Sequence, residues 1–201
     1  MTIEHEFEND ADFQFEGRGP VNTNTGYRTP AHALAELIDN SLQHAVDGRH
    51  TVVDVVIGEK RKFLGQRHRH QIETISVVDN GTGMSPTQLR RALKIGDGTH
   101  KADTDGMGRF GVGLPQSSVS QANHFEVWTW QTGLKQSIKT GINIKDAKWL
   151  NSNRVVPKPE PTPVPADLHA HCKFDESGTI VRWSNLERLD WKQAKTLYEN
   201  T

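Results

Sequence analysis

The stretch SVVDNGTGM, residues 76–84, decides the fold because an aliphatic run is followed directly by a glycine-containing polar run. With QIETI before it, the aliphatic half is typical of a buried β-strand, and this strand ends on the carboxylate of Asp79. Gly81 and Gly83 follow directly, and residues without a Cβ let another molecule approach the backbone. The alternative interpretation is a tight turn at Asn80-Gly81 between two strands. The stretch therefore predicts either a hairpin turn or a strand end that receives a ligand.

Length, charge and cysteine usage limit the class of protein. The 201 residues suit one domain that can bury a core without disulfides. Lys and Arg number 24 against 25 Asp and Glu, for a formal net charge of -1, which indicates no overall nucleic-acid or membrane surface. The single cysteine, Cys172, excludes an internal disulfide framework, and no apolar run approaches a membrane span. We therefore expect a soluble, cytoplasmic protein.

The first strong helical pattern begins after Thr29, which can cap the helix, and Pro30 suits its first position. Glu36, Asn40 and Gln43 form a polar stripe beside an apolar one. Such a stripe is usually only a solvated surface. Together with the carboxylate at the strand end, it becomes a candidate functional face. The apolar residues at helical spacing, predicted to face the core, are Ala31, Leu34, Ala35, Ile38, Leu42 and Ala45.

Helices and strands are mixed in order along the rest of the chain. TVVDVVI and QIETISVVD predict a hairpin whose long basic tip carries cations that can touch phosphate backbones. Ser85 and Gln88 form a capping-box pattern for a short helix, and the proline-dense residues 155–165 predict an extended connection. The remaining predicted elements are strands at 51–57, 71–79, 124–130, 135–140 and 178–183 and a helix over about 114–122. This order favours an α+β fold with helices on one sheet face.

A polar, glycine-rich loop occupies residues 96–113. Within it GMGRFG, 106–111, matches the dinucleotide pattern G-x-G-x-x-G, yet no strand precedes it and no acidic residue follows at the required distance. The dinucleotide interpretation therefore fails on context. What remains is a loop whose N–H groups, with the following helix N-terminus, can cradle phosphate. Lys94, Lys101 and Arg109 can add positive charge to this cradle.

Four blocks in a fixed order carry a resemblance to a known superfamily: ELIDN, DNGTGM, GMGRFGVGL and GTIVRW. Together they resemble the motifs of the GHKL ATPases, the gyrase, chaperone, histidine-kinase and MutL group with the Bergerat fold. The resemblance covers roughly residues 27–185, and TPAHALAELIDNSLQHA and GRFGVGLPQSS are most similar to the MORC and chaperone branch and its prokaryotic relatives. It implies a two-layer α/β sandwich with a mixed, mostly antiparallel sheet and helices on one face.

The resemblance assigns roles to matched positions of this chain. It implies that Glu36 is the general base for the attack of water on the γ-phosphate, and that Asn40 binds Mg²⁺. It implies that Asp79 reads adenine, and an ionised carboxylate accepts the adenine amine but offers no donor to a guanine carbonyl. It also implies that Thr179 supports this contact, whereas Gln43 replaces the aspartate of many members. The other implied nucleotide-binding residues are Gly81, Gly83, Met84, Lys94, Lys101, Gly108, Arg109, Phe110, Gly111, Val112 and Gly113.

The same resemblance implies a slow, Mg²⁺-dependent ATPase whose substrate is ATP. We expect closure of the glycine-rich loop as a lid and a nucleotide-dependent homodimer within a longer protein, with nucleic acid as a possible partner of that parent protein. The alternatives are a nucleotide-sensing module with little turnover and a phosphotransfer domain of histidine-kinase type. We expect an N-terminal arm or strap at 1–28, the ATP-binding domain at 29–190, and a connection to a downstream region at 191–201.

Overall fold

The computed structural model describes residues 10–15, 21–27, 29–64, 67–95, 113–172 and 176–188. Its α-helices are α1 (Pro30–Gln43), α2 (Pro86–Ala92), α3 (Gly113–Gln121) and α4 (Ala147–Leu150). Its strands are β1 (Val53–Leu64), β2 (Arg67–Asp79), β3 (His124–Trp130), β4 (Ile138–Asn143), β5 (Glu160–Pro161) and β6 (Gly178–Ser184). Short 3₁₀ helices occupy Asp10–Phe13, Leu134–Gln136 and Ala166–His171.

The described strands form one six-stranded sheet in the order β1-β2-β6-β3-β4-β5. Every neighbouring pair of these described strands is antiparallel. The last strand along the chain, β6, lies between β2 and β3 rather than at an edge. In this register Thr179 lies beside Asp79 on one side and beside Thr129 on the other. The topology therefore brings three polar residues from distant parts of the chain into one row at the end of the sheet.

One face of the sheet is covered by helices, which confirms the predicted α+β class. Val77, Val127 and Val181 of the three central strands pack in the main core with apolar side chains of α1, α2 and α3. Burial of each such side chain stabilises the fold by roughly 1.5–3 kcal/mol. The buried indole of Trp183 donates its N–H to Ser118 Oγ at 2.8 Å, which fixes α3 to β6.

The connection between β4 and β6 covers the opposite face. Val164 and Leu168 of this connection pack on Val78 and Trp130 in a second buried cluster. Its prolines keep much of the segment extended, as predicted, and Glu160–Pro161 pairs with the edge of β4. The central strands are therefore shielded from water on both sides.

Residues 10–15 contribute to the core. Phe13 and Phe15 are 2% and 0% exposed. Arg90 of α2 lies 3.9 Å from the centre of the Phe13 ring and donates a hydrogen bond to Asp10 at 2.9 Å. The polar composition of the predicted arm gave no indication that these two aromatic side chains are buried. The proposed domain boundaries stay predictions.

Helix α1 begins as predicted, but its buried face differs. Thr29 Oγ1 accepts from His32 N at 3.3 Å, and Pro30 occupies the first turn. Of the six residues predicted to face the core, Leu34 is buried, Ala31, Ile38 and Ala45 are partly exposed, and the prediction is wrong for Ala35 and Leu42, which are exposed, Leu42 by 53%. Apolar residues surround much of this helix, so tertiary contacts rather than spacing select the buried face. The buried residues of α1 are Pro30, Ala33, Leu34, Leu37 and Ser41.

The β1–β2 hairpin is confirmed, whereas its long tip is wrong. The ladder continues along both strands through the basic stretch, with one register shift between Gly58 and Glu59. Backbone groups pair whatever the side chains are, so the charged composition did not mark the end of the strands. Strand β4 also begins at Ile138, later than predicted, because Leu134–Gln136 forms a 3₁₀ turn.

Candidate functional site

A concave pocket lies between α1 and the ends of β2 and β6, with about 550 Å³ of empty space when the open solvent at its mouth is included. The helix contributes both apolar and polar side chains to it, and the strand ends contribute polar ones. A concave site with apolar walls and a few convergent polar groups is typical of small-ligand binding. The lining includes Leu37, Asn40, Ser41, Asp79, Met84 and Thr179.

The carboxylate of Asp79 accepts three hydrogen bonds from three different elements. Ser41 Oγ of α1 donates to Oδ2 at 2.8 Å. The backbone N–H groups of Gly81 and Thr179 donate to Oδ1 at 2.9 and 3.1 Å. A carboxylate has about four acceptor positions, so these contacts fix its orientation and leave capacity for a donor on a ligand.

Burial raises the pKa of Asp79 to about 6, although the hydrogen bonds from Gly81, Ser41 and Thr179 act in the opposite direction. Ionisation of this carboxyl is therefore costly. At neutral pH the group is still mainly ionised and acts as an acceptor. A buried acid with a perturbed pKa inside a cavity is typical of a functional site.

The positions after β2 require glycine for a structural reason that the sequence did not show. A Cβ placed on them would lie 2.7 Å from His44 O at Gly81, 2.1 Å from Trp130 O at Gly83 and, in β6, 2.4 Å from Asp79 O at Gly178. Gly83 also has a φ of +66°, which favours glycine. The close approaches at Gly81 and Gly83 are made by the protein's own backbone, so these glycines allow the loop after β2 to pack against it. Gly83 still lines the cavity.

Thr129 is a fully buried residue that ties the loop after β2 to the sheet. Its Oγ1 accepts from Met84 N at 2.9 Å and donates to Gly178 O at 3.0 Å. The hydroxyl of Thr179 lies 3.3 Å from Thr129 Oγ1. It is therefore the backbone N–H of Thr179, rather than its hydroxyl, that reaches Asp79.

The side-chain amide of Asn40 lines the cavity with an unpartnered atom. Its Nδ2 is buried and has no hydrogen-bond partner among the described residues. Because amide N and O exchange places on a half-turn of the group, the cavity can receive either a donor or an acceptor here. Within the described ranges, no three His, Cys, Asp or Glu side chains converge on a metal site. The amide oxygen of Asn40 fits Mg²⁺, which takes oxygen ligands and draws the rest from phosphate and water.

Glu36 lies one helical turn before Asn40, with its carboxylate against the start of α3. A Cβ on Gly113 would lie 1.8 Å from Glu36 Oε1, so glycine is required for this approach. Burial, and then the nearby charge of Glu36, raise the pKa of Tyr27, so the phenol near this carboxylate stays protonated.

Comparison with known proteins identifies the family of this chain. The family described as histidine kinase-, DNA gyrase B-, and HSP90-like ATPase matches residues 27–179, most of the chain. The chain belongs to this family. It therefore contains an ATP-binding domain of the GHKL type, as the four motif blocks predicted.

One relative of this GHKL domain is Protein MICRORCHIDIA 4 of Arabidopsis thaliana. The two are 30% identical over 95 residues, which represent 47% of this chain and 11% of that protein. This similarity supports the predicted relationship to the MORC branch. The aligned part is about a tenth of the relative's length. Of the helices in the described ranges, none has the length and apolar character needed to cross a membrane.

The structure brings several of the predicted residues of the GHKL site together. Asn40, Asp79, Gly83, Met84 and Thr179 line the cavity. Two other predicted residues, Glu36 and Gly113, are in contact with each other. Each directly precedes a lining residue, Leu37 and Leu114 respectively. Lys94 follows α2 and does not line the cavity in the described structure. The predicted residues that lie outside the described ranges are Lys101, Gly108, Arg109, Phe110, Gly111 and Val112.

Sequence reasoning missed two residues that fix polar groups of the GHKL site. Ser41 donates to Asp79, and Thr129 accepts from Met84 N and so holds the loop after β2. The position of Ser41 directly after Asn40 could have indicated its role. No pattern connected Thr129 to the site, because Thr129 is remote in sequence from Met84 and Gly178.

Proposed function

We propose that this GHKL domain binds ATP with Mg²⁺ and slowly hydrolyses it by attack of water on the γ-phosphate. The observation that supports this most directly is the position of Asp79, Asn40 and Glu36. The first two line one cavity, and the third lies one turn along α1 from Asn40. An adenine-reading acid, an Mg²⁺-binding amide and a general base are the groups that this reaction requires.

Asp79 serves the adenine end in this proposal. Three protein donors already orient its carboxylate, so its remaining acceptor position suits the exocyclic amine of adenine. Guanine would present a carbonyl there instead. A buried polar group left without a partner costs about 1–3 kcal/mol, which favours ATP over GTP. Leu37 and Met84 supply apolar lining for the base.

Asn40 and Glu36 serve the phosphate end. The Asn40 oxygen would hold Mg²⁺, which when bound neutralises charge on the phosphates. The carboxylate of Glu36 orients water and accepts its proton. Gly113, as the first residue of α3, offers the positive end of a helix to phosphate.

Within a longer protein, we propose that residues 96–113 act as a lid over the nucleotide and that ATP binding drives homodimerisation through the arm at 1–28. The ATP-binding domain would extend over 29–190, and 191–201 would lead to a downstream region. Lid closure in such a site excludes water and completes the catalytic groups. Nucleic acid would contact the parent protein rather than the cavity.

Asp79→Asn is expected to weaken ATP binding about 30-fold. The replacement amide directs an N–H₂ group into a carboxylate position that accepts hydrogen bonds, so a donor faces a donor and a buried group loses its partner. Calorimetric titration with Mg²⁺ and a non-hydrolysable ATP analogue measures the change.

Asp47→Asn is the matched control, because it removes the same charge from an exposed turn after α1. Its affinity should equal that of the wild type, and the wild type should bind the GTP analogue at least about tenfold more weakly than the ATP analogue. Absence of binding heat in the wild type, or equal affinity in Asp79→Asn, would contradict the proposed adenine site.

The affinity for adenosine is expected to decrease as the pH is lowered through about 6. The raised pKa of Asp79 means that its carboxylate becomes protonated below this value, so that it loses its charge and one of its oxygens becomes a donor. Binding to the ionised form alone gives about tenfold weaker binding near pH 5 than near neutral pH. Adenosine avoids the titration of phosphate groups, and NMR titration measures its affinity. The same pH dependence in Asp79→Asn would show that another group titrates.

Phosphate release by the wild-type domain distinguishes hydrolysis from nucleotide sensing. Steady phosphate production from ATP supports an ATPase. Binding without phosphate production would support a sensing module. Formation of an acid-labile phosphoprotein from labelled ATP would instead indicate phosphotransfer of the histidine-kinase type.

A further inference from the structure

Thr129 lies beside the polar groups at the end of the sheet and is fully buried. It is the register partner of Thr179, which is in turn the register partner of Asp79. Thr179 and Asp79 both line the cavity. An effect of Thr129 on a ligand would therefore pass through its neighbours in the structure.

The hydrogen bonds of the Thr129 hydroxyl fix the direction of its proton. A hydroxyl group has one proton to donate and two positions that accept. A carbonyl oxygen accepts and does not donate, so the proton of Thr129 Oγ1 is directed to Gly178 O at 3.0 Å. One accepting position receives the N–H of Met84 at 2.9 Å. The position that remains on Thr129 Oγ1 is an acceptor.

This remaining acceptor meets the hydroxyl of Thr179, whose Oγ1 lies 3.3 Å from Thr129 Oγ1. Because the proton of Thr129 is used at Gly178 O, Thr179 is the donor in this contact. The Thr179 hydroxyl has then used its proton and presents acceptor positions to the cavity. The Asp79 carboxylate, which accepts from the backbone N–H of Thr179, is an acceptor as well. Two acceptors therefore lie together at this end of the cavity.

We propose that Thr129 is a positioning residue for base selection, which holds the Thr179 hydroxyl as an acceptor so that the site selects a purine with a primary amine at C6. This inference rests on the proposed function and deepens it, because ATP carries that amine whereas GTP carries a carbonyl group there. A primary amine has two N–H donors, which match two acceptors. A carbonyl group would set an acceptor against both, and buried polar groups without partners lower affinity.

Thr129→Val is expected to lower the preference for adenosine over inosine about tenfold. Valine keeps the size and branching of threonine but has no hydroxyl. The proton of Thr179 is then released and can be donated to the C6 carbonyl of inosine. The preference is the ratio of the two dissociation constants, which NMR titration at neutral pH measures. Asp79 is unchanged, so part of the preference should remain.

Three further variants separate positioning from structural support. Thr129→Ser keeps the hydroxyl and should retain the wild-type preference. Thr179→Val removes the proposed acceptor itself and should lower the preference, whether or not Thr129→Val folds. In the Thr179→Val background, Thr129→Val should have no additional effect on the ratio, because the group that Thr129 positions is gone.

Thr140→Val is the matched control for lost stability. It removes another buried threonine hydroxyl, which donates to Pro157 O at 2.8 Å from β4. Like Thr129→Val, it leaves a carbonyl without its donor and should lower the melting temperature. Its preference for adenosine should equal that of the wild type.

The outcomes distinguish this inference from the function on which it rests. Equal losses of affinity for adenosine and inosine in Thr129→Val would show a purely structural role and overturn the proposal. Loss of the preference in Thr129→Ser, an unchanged preference in Thr179→Val, or an additive effect in the double variant would also contradict it. A wild type that binds neither nucleoside would overturn both this inference and the proposed ATP site.

Discussion

Glu36→Gln is expected to reduce phosphate release from ATP by at least about 100-fold while ATP still binds with its original affinity. General-base catalysis typically contributes between about 10² and 10⁴ in rate, and the amide cannot accept a proton from water. The replacement keeps the shape of the side chain. Asp79 and Asn40 are unchanged, so the affinity for the nucleotide should be retained.

Steady-state phosphate release and calorimetry with the ATP analogue check this prediction. Glu73→Gln is the matched control, because it makes the same chemical change on an exposed side chain that pairs with Lys60. Its turnover should equal that of the wild type. If Glu36→Gln retained the wild-type rate, Glu36 would not be the base and the proposed hydrolytic mechanism would be wrong.

Gly113→Ala is expected to reduce kcat about 100-fold without destabilising the fold. The new Cβ would lie 1.8 Å from Glu36 Oε1, so the carboxylate must move. The carboxylate is the free end of a flexible side chain, so it can move at little cost to stability, and alanine is the better helix former. A displacement of about 1 Å in a catalytic group can lower the rate by about 10².

Gly141→Ala provides the contrasting control. A Cβ there would lie 2.6 Å from Phe125 O, a backbone atom that cannot rotate away, so this variant should lower the melting temperature. Its kcat, measured where it is folded, should remain near the wild-type value because β4 lies beyond β3 in the sheet, away from the strand ends of β2 and β6 that line the cavity. Thermal unfolding with phosphate release separates the two cases. A Gly113→Ala variant with normal kcat would show that the Glu36 carboxylate tolerates displacement.

The parts of the fold that sequence predicted are those with strong local signals. The run ISVVD has the aliphatic character of a buried strand, and Thr29 with Pro30 marks a helix start. The four ordered blocks placed Asp79 and Asn40 at one site, and both line one cavity in the structure. Their roles toward a nucleotide stay predictions that the variants above test.

The errors arose where tertiary contacts decide between local alternatives. Helix α1 offers apolar residues on several sides, and contacts with the sheet selected the face that carries Leu37 and Ser41. The sequence also did not show that a Cβ at Gly81 would meet the carbonyl of His44. A sequence identifies a glycine but does not identify what approaches it.

The polar contacts that support the site were beyond the sequence for a topological reason. β6 lies between β2 and β3, so Thr129 and Thr179 become neighbours although they are far apart along the chain. Periodicity describes residues within one element and carries no information about such encounters between elements.

The main-chain contacts at three glycines around the cavity bear on how this site can evolve. The pairs are Gly81 with His44 O, Gly83 with Trp130 O and Gly178 with Asp79 O. At each of these positions the nearest atom to an added Cβ is a main-chain carbonyl oxygen. A smaller neighbouring side chain therefore could not make room for a larger residue. Evolutionary changes in ligand preference are therefore expected at side chains that line the cavity, such as Leu37 and Met84, rather than at these glycines. The pocket can acquire new selectivity while its outline stays the same.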